Sequence, residues 1–203
     1  MQTNNGTFPS LANALWPVST PIAALRLIAL AMAGSAFLTL CAKIHIDIGP
    51  VPVAMHTFAV LLIGAAYGLR LGLATIFVYL AQGAVGMPVF SGTPEKGIGM
   101  AYMMGPTGGY LLGFIFAVAI VGWFTDRGWD RSLLKMIPVM LLASIAIYIP
   151  GLLWLKTLLV LDWEKTFAFG ITPFLYGDAL KLMLAACVAP AAWAIINKFR
   201  GSN

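Results

Sequence analysis

Long apolar segments dominate the chain and limit the folds that it can adopt. Six of them are long enough, or nearly so, for an α-helix to cross the hydrocarbon core of a bilayer, which takes about 20 residues. Backbone polar groups in lipid must be paired within the protein, and helices achieve this within one segment. The predicted spans are residues 23–42, 53–69, 72–86, 105–125, 137–161 and 174–196. The sequence therefore predicts an all-α polytopic membrane protein with six transmembrane helices.

Composition supports one membrane domain and argues against a nucleic-acid-binding protein. The chain is 61% hydrophobic and only 9% charged, whereas soluble domains are about 25% charged. The formal net charge of +5 comes from basic residues that are spread singly between the apolar segments and form no patch. We predict a partly disordered lead-in over residues 1–22, followed by a single six-helix transmembrane domain over residues 23–200.

The basic residues also predict the orientation of the chain. With six crossings, the two termini and every second connection lie on the same side of the membrane. Cytoplasmic segments are enriched in Lys and Arg, so the more basic side, which carries both termini, is expected in the cytoplasm. That side holds Arg26, Arg70, Arg127, Arg131, Lys135, Lys198 and Arg200, and the outer side holds Lys43, Lys96, Lys156 and Lys165.

Two opposite charges lie within the last apolar segment, at Asp178 and Lys181. Residues at i and i+3 share one face of a helix. Each charge alone would cost about 2.5–3.5 kcal/mol to insert, and ionisable residues at such depth are candidates for functional sites. The topology places the pair less than two helical turns from the outer surface. It is either a structural ion pair or the polar part of a site for a small ligand.

Residues 87–106 form the longest stretch without a periodic pattern. The stretch is rich in glycine and proline but also contains large apolar side chains, so we predict a folded cover over the outer end. The glycine-rich start of the fourth span, at residues 105–110, fits close helix packing better than phosphate binding, because its spacing matches no phosphate motif. A ligand with an apolar body would suit a pocket lined by Phe90, Tyr102, Tyr110, Trp154, Phe174 and Tyr176.

The sequence carries no recognisable catalytic or metal-binding motif. His45 and His56 have no motif partner, and Cys41 and Cys187 lie apart in apolar segments, where we interpret them as packing residues. No metal or cofactor is expected. Two alternatives to a simple binding protein stay open: an intramembrane enzyme, and a stand-alone proton-coupled carrier with Asp178 as its proton site.

Several motifs resemble those of one family of membrane proteins. They are GPVPV at residues 49–53, TFAV at 57–60, YLAQGAVGMPVF at 79–90, GPTGGYLLGF at 105–114, and PF at 173–174 followed by GDxxK at 177–181. In this order they resemble the BioY family, the biotin-specific substrate-binding subunits (S-components) of energy-coupling-factor (ECF) vitamin transporters. The resemblance extends from the first span to the last, and GPTGGY and GDxxK are its most specific elements.

The resemblance implies an S-component fold with structured outer loops and a biotin pocket near the outer face. Asp178 and Lys181 match the family's GDxxK pair, which is expected to hold the polar parts of biotin. Lys181 would meet either the ureido carbonyl or the carboxylate tail. The family usually has Thr and Gln where this chain has Ala54 and His56, so His56 must replace that Gln in any role it has. The expected biotin-contacting residues are Asp178, Lys181, Tyr102, Phe90, Gln82, Thr107, Gly109, Tyr110 and Tyr176.

The resemblance also implies partner proteins. Ala29 and Ala33 form a small-residue step in the first span, which would dock onto the transmembrane coupling subunit of an ECF module. From the residues alone, packing within the chain explains that step equally well. Two ATPase subunits would power uptake, because this chain has no Walker motif and is not expected to be an enzyme. The expected location is the lipid bilayer of the bacterial cytoplasmic (inner) membrane, with no nucleic-acid partner.

Overall fold

The computed structural model describes residues 9–15, 23–47 and 49–200. Its helices are α1 (Leu11–Leu15), α2 (Ala23–Lys43), α3 (His56–Ala84), α4 (Gly99–Met103), α5 (Gly108–Thr125), α6 (Leu133–Leu159), α7 (Trp163–Gly170) and α8 (Leu175–Arg200). A 3-10 helix covers Trp129–Arg131, and two strands, β1 (His45–Ile46) and β2 (Val53–Ala54), pair as an antiparallel hairpin. The predicted disorder of the lead-in concerns residues that lie mostly outside the described ranges.

Within the described residues, five helices are long and apolar enough to cross a membrane: α2, α3, α5, α6 and α8. One of them, α3, folds back on itself at Gly68, which has φ 74°. Its two arms are antiparallel, as the hydrogen bond between the side chains of His56 and Tyr79 shows. In a continuous helix these two residues would lie about 35 Å apart. The chain is therefore a multi-pass membrane protein, and the predicted six-helix fold is confirmed with its second and third spans as the arms of α3.

The turn of α3 is held by a carboxylate from another helix end. Gly68 has a positive φ that other residues rarely adopt, and the carboxylate of Asp126 occupies the space that a side chain at residue 68 would need. The backbone N–H of Leu69 donates to Oδ2 of Asp126 at 3.3 Å. Burial raises the pKa of Asp126 above its ordinary value. This contact closes the turn and positions the two arms against α5.

Helix α5 lies at the centre of the bundle. It packs against both arms of α3 on one side and against α6 on the other, while α2 packs on α3 and α8 packs on α3 and α6. Gly113 lets α5 approach α6 closely, since a Cβ there would lie 2.7 Å from the Cα of Ile147. The sequence predicted a kink or partial unwinding of α6 at Pro150. The structure shows no unwinding: the backbone of α6 stays helical through Pro150, where it packs directly against Gly109.

One end of the bundle, called here the outer end, carries the structured loops that the sequence predicted. Residues 86–98 and α4 form a folded cover, defined here as residues 86–103, in which Phe90 is fully buried. The ammonium of Lys43, at the end of α2, donates to the carbonyl oxygens of Phe90 at 3.2 Å and Thr93 at 2.9 Å. Lys96 pairs with Asp47 at 2.6 Å and links the cover to the β-hairpin loop. This pairing lowers the pKa of Asp47 below its ordinary value.

The sequence predicts a polar turn at residues 162–165 and then a lead-in to the last span, but the structure has the helix α7 there instead. Asp162 caps the helix, because its Oδ1 accepts a 2.7 Å hydrogen bond from the backbone N–H of Lys165. The hydroxyl of Tyr110 donates to the carbonyl of Gly170 at the other end of α7. Helix α7 therefore packs on α6 and is joined to α5 just before the last span begins.

Candidate ligand-binding site

A cavity lies at the outer end of the bundle, beneath the cover. The space between its lining atoms, including its open mouth, is about 530 Å³. The β-hairpin, the outer ends of α3, α5, α6 and α8, and the cover all contribute to its wall. The fold thus brings together, around one cavity, residues that are more than 120 positions apart in the sequence.

Asp178 provides the charged group of the cavity. Its Oδ1 accepts hydrogen bonds from the hydroxyl of Thr57 at 3.1 Å and the ammonium of Lys181 at 2.9 Å. Its Oδ2 accepts from the hydroxyl of Tyr148 at 2.6 Å. A carboxylate has about four acceptor positions, so one remains for a ligand donor. The carboxylate is thereby held in a fixed orientation by groups from three helices.

Lys181 lies behind Asp178 and is itself buried. Its ammonium donates to Asp178 and, at 2.7 Å, to the backbone carbonyl of Ala54 in β2. The side chain of Lys181 is 9% exposed and that of Asp178 is 12% exposed. A buried opposite charge offsets much of the cost of placing a carboxylate at this depth. Asp178 therefore lines the cavity, and Lys181 lies directly behind it.

Aromatic side chains form a large part of the remaining wall. Tyr102 stacks on Phe90, with ring centroids 4.9 Å apart, and Tyr110 meets Tyr148 edge to face at 6.3 Å. Burial raises the pKa of Tyr102 to about 12, so its phenol stays neutral and can donate a hydrogen bond. The cavity combines one anchored carboxylate with flat apolar surfaces, which suits a small ligand that has polar N–H groups on an apolar ring system.

Comparison with known proteins identifies the family of this chain. The sequence pattern that defines the BioY family matches residues 12–198. The chain belongs to the BioY family. It is 36% identical over 148 residues to a probable biotin transporter BioY from Pyrococcus horikoshii, covering 73% of this chain and 84% of that protein. It is 33% identical over 169 residues to the biotin transporter BioY2 from Lactococcus lactis, covering 82% of this chain and 87% of that protein.

A solved structure supports the BioY fold of this chain. The S-component for biotin from an ECF-type ABC transporter superposes with a TM-score of 0.75 and 23% sequence identity. The match covers 86% of this chain and 94% of the other. The predicted S-component fold is therefore confirmed.

Four of the residues that the BioY resemblance singled out lie in the cavity wall: Asp178, Tyr102, Thr107 and Tyr110. Lys181 bonds directly to Asp178. Two further aromatic residues were expected near the pocket: Phe174 lines it, whereas Trp154 donates to the carbonyl of Gly105 at 2.9 Å and does not.

The other four expected residues do not line the cavity, for different reasons. Phe90 lies behind Tyr102, and Gly109 packs against α6. The amide of Gln82 turns to α2, where its oxygen accepts from Ser35. Tyr176 is 90% exposed, because two residues along a helix rotate the side chain by about 200° relative to Asp178.

Sequence reasoning missed several residues of the site. Thr57 and Tyr148 bond the carboxylate, and Ser91 lies in the wall. His56, which stands where the family usually has Gln, lines the cavity as well. The need of a buried carboxylate for donors predicts that such partners exist, but their identity depends on which helices pack against α8.

Proposed function

We propose that this chain binds biotin and takes it up across the cytoplasmic membrane as the substrate-specificity subunit of an ATP-driven ECF transporter. The observation that carries the proposal is the covered cavity in which Asp178 is fixed by three hydrogen-bond donors. The family supports the ligand, since relatives that match most of this chain are named biotin transporters.

The chemistry of biotin matches the cavity. Its ureido group has two N–H donors and a carbonyl, its fused rings are largely apolar, and its tail ends in a carboxylate. One ureido N–H would donate to the free acceptor position of Asp178, giving a charge-assisted hydrogen bond. The rings would lie against Tyr102 and Tyr110. The third proton of Lys181 remains for the ureido carbonyl or the carboxylate tail.

We further propose that the cavity faces the outside of a bacterial cell, with both termini in the cytoplasm. The support is the distribution of basic residues, because the end of the bundle opposite the cavity holds Arg70, Arg127 and Lys135. A cavity that opens on the outer side would let biotin enter from the medium before the subunit engages its partners.

The docking surface for a coupling subunit is proposed on α2. Ala29 and Ala33 are exposed on this helix, as are Met32 and Ala36 beside them. Exposed small residues allow another helix to approach closely, which is how helices associate in lipid. Two ATPase subunits would supply the energy. The chain itself would act as a binding subunit and not as an enzyme.

Native mass spectrometry of the protein purified without added ligand tests the proposal. A retained mass equal to that of biotin is expected, and a different retained mass would identify another substrate and contradict it. Uptake by liposomes that contain this chain alone, driven by a proton gradient, would instead support the stand-alone carrier.

A further inference from the structure

Two polar groups in the cavity wall have hydrogen-bonding capacity that the protein does not use. Ser91 is 1% exposed, and its hydroxyl has no hydrogen-bond partner. His56 is buried, and among the described residues its side chain is hydrogen-bonded to Tyr79 alone, through Nε2. Both residues line the cavity. Buried polar groups are nearly always paired, so two unused groups around one cavity point to a ligand.

Tyr79 determines which ring nitrogen of His56 carries the proton. The hydroxyl of Tyr79 donates its single proton to the carbonyl oxygen of Val89, at 3.1 Å. The same hydroxyl oxygen lies 2.6 Å from Nε2 of His56, so Nε2 must be the donor in that contact. A neutral imidazole has one N–H. Nδ1 is therefore an acceptor without a proton.

His56 directly precedes a residue that bonds the carboxylate of the cavity, and both residues line the cavity wall. Its ring packs against Phe114, with centroids 5.5 Å apart. The next residue, Thr57, donates to Asp178 at 3.1 Å. The cavity wall thus contains two acceptors, Nδ1 of His56 on α3 and the carboxylate of Asp178 on α8, which Thr57 of α3 bonds. A ligand with two N–H groups on one ring can address both.

We infer that His56 and Ser91 form a second polar pole of the cavity. At this pole, Nδ1 of His56 accepts a hydrogen bond from a ligand N–H, and the hydroxyl of Ser91 donates to a ligand oxygen. The inference rests on the proposed function, because the ureido group of biotin carries two N–H groups and a carbonyl. One N–H meets Asp178 and the other meets His56, so the second pole selects for a cyclic urea.

Nitrogen NMR tests the role of His56 directly. The chain has two histidines, so a sample labelled with ¹⁵N in its histidine rings gives few signals, and His45→Gln leaves those of His56 alone. The expected spectrum without ligand shows Nε2 protonated and Nδ1 unprotonated. Adding biotin should shift the Nδ1 signal toward that of a hydrogen-bonded nitrogen. Tyr79→Phe removes the hydroxyl that keeps the proton on Nε2, so both neutral tautomers of His56 should be populated in this variant.

Biotin titrations of variants complete the test. His56→Phe keeps an aromatic ring against Phe114 but removes the acceptor, and it should weaken biotin binding roughly ten- to fiftyfold. His56→Gln restores an acceptor and should recover most of the affinity, Ser91→Ala should weaken binding several-fold, and His45→Gln should leave it unchanged.

The possible failures are distinguishable. If the wild-type protein binds no biotin, both the proposed function and this inference are wrong. If it binds biotin while the Nδ1 signal of His56 does not move, or while His56→Phe binds as tightly as the wild type, only the inference is overturned. Should His56→Phe not fold, the NMR titration of the wild type and the His56→Gln and Ser91→Ala titrations still decide the question.

Discussion

The hydroxyl of Tyr148 on α6 donates a 2.6 Å hydrogen bond to Oδ2 of Asp178 on α8. The other oxygen of the same carboxylate accepts from Thr57 on α3. The acceptor that we assign to biotin is therefore oriented by two helices other than its own before any ligand arrives. Such preorganisation raises affinity, because little side-chain freedom is lost on binding.

Removing the Tyr148 hydroxyl should weaken biotin binding. In Tyr148→Phe the carboxylate loses one of its three donors and its fixed orientation, so we expect a loss of about tenfold in affinity, the size of one hydrogen bond to a charged group. Isothermal titration calorimetry measures it. Tyr176→Phe is the matched control, since Tyr176 is 90% exposed on the same helix as Asp178. Equal affinities for the two variants would contradict the account.

Two Asp–Lys pairs with the same i,i+3 spacing should differ in their effect on stability. Lys181→Met breaks a buried pair and should lower the free energy of unfolding by about 3 kcal/mol, because Asp178 keeps two donors but loses its counter-charge. Lys165→Met breaks an exposed pair with Asp162 and should change little. Thermal unfolding in detergent measures both. Similar unfolding midpoints for the two variants would show that Lys181 does not stabilise the fold.

A buried carboxylate in the loop between α5 and α6 should make stability depend on pH. Asp130 accepts from the indole N–H of Trp193, and Arg131 lies over the same indole at 4.5 Å. Burial raises the pKa of Asp130 from 3.8 to about 6, against the opposing effects of Trp193 and Arg131. The folded state therefore binds this proton more tightly than the unfolded state does.

The sign of the pH effect follows from that shift. The stabilisation from the bound proton is fully present below about pH 4 and is lost as the pH rises through about 6, by up to about 3 kcal/mol. Unfolding midpoints between pH 4 and 7 should decline more in the wild type than in Asp130→Asn, whose amide still accepts from Trp193. Asp162→Asn, at an exposed site, is the control. Parallel curves for the wild type and Asp130→Asn would refute the prediction.

Enlarging the small-residue surface of α2 should separate docking from ligand binding. Ala33→Leu adds bulk at an exposed position, so it should leave biotin affinity unchanged but reduce co-purification with a coupling subunit severalfold. Ala194→Leu adds the same bulk at an exposed position of α8 and should have no effect on either. Normal assembly of the Ala33→Leu protein would place the docking surface elsewhere.

Features that depend on local sequence were predictable. The six spans follow from apolar length, and the turn between the second and third follows from the glycines around Arg70, although Gly68 alone makes the reversal. The pair of Asp178 and Lys181 was visible because two charges in an apolar helix stand out and share a face.

Features that depend on packing between distant segments were not predictable. Nothing near Tyr148 in the sequence indicates that its hydroxyl reaches Asp178, 30 positions later on a different helix. Gln82 was expected at the ligand from the resemblance to the family, but its helix turns it toward Ser35 instead. Helix α7 was missed although Asp162 is a good N-cap residue, because the segment is short and carries several charges.

Calorimetric titration of biotin into the wild type and Asp178→Asn tests whether Asp178 holds biotin. Asp178→Asn keeps the size of the side chain but removes the charge-assisted acceptor, so we expect roughly a ten- to hundredfold loss of affinity in a protein that still folds. Biotin binding of unchanged affinity by folded Asp178→Asn would contradict it.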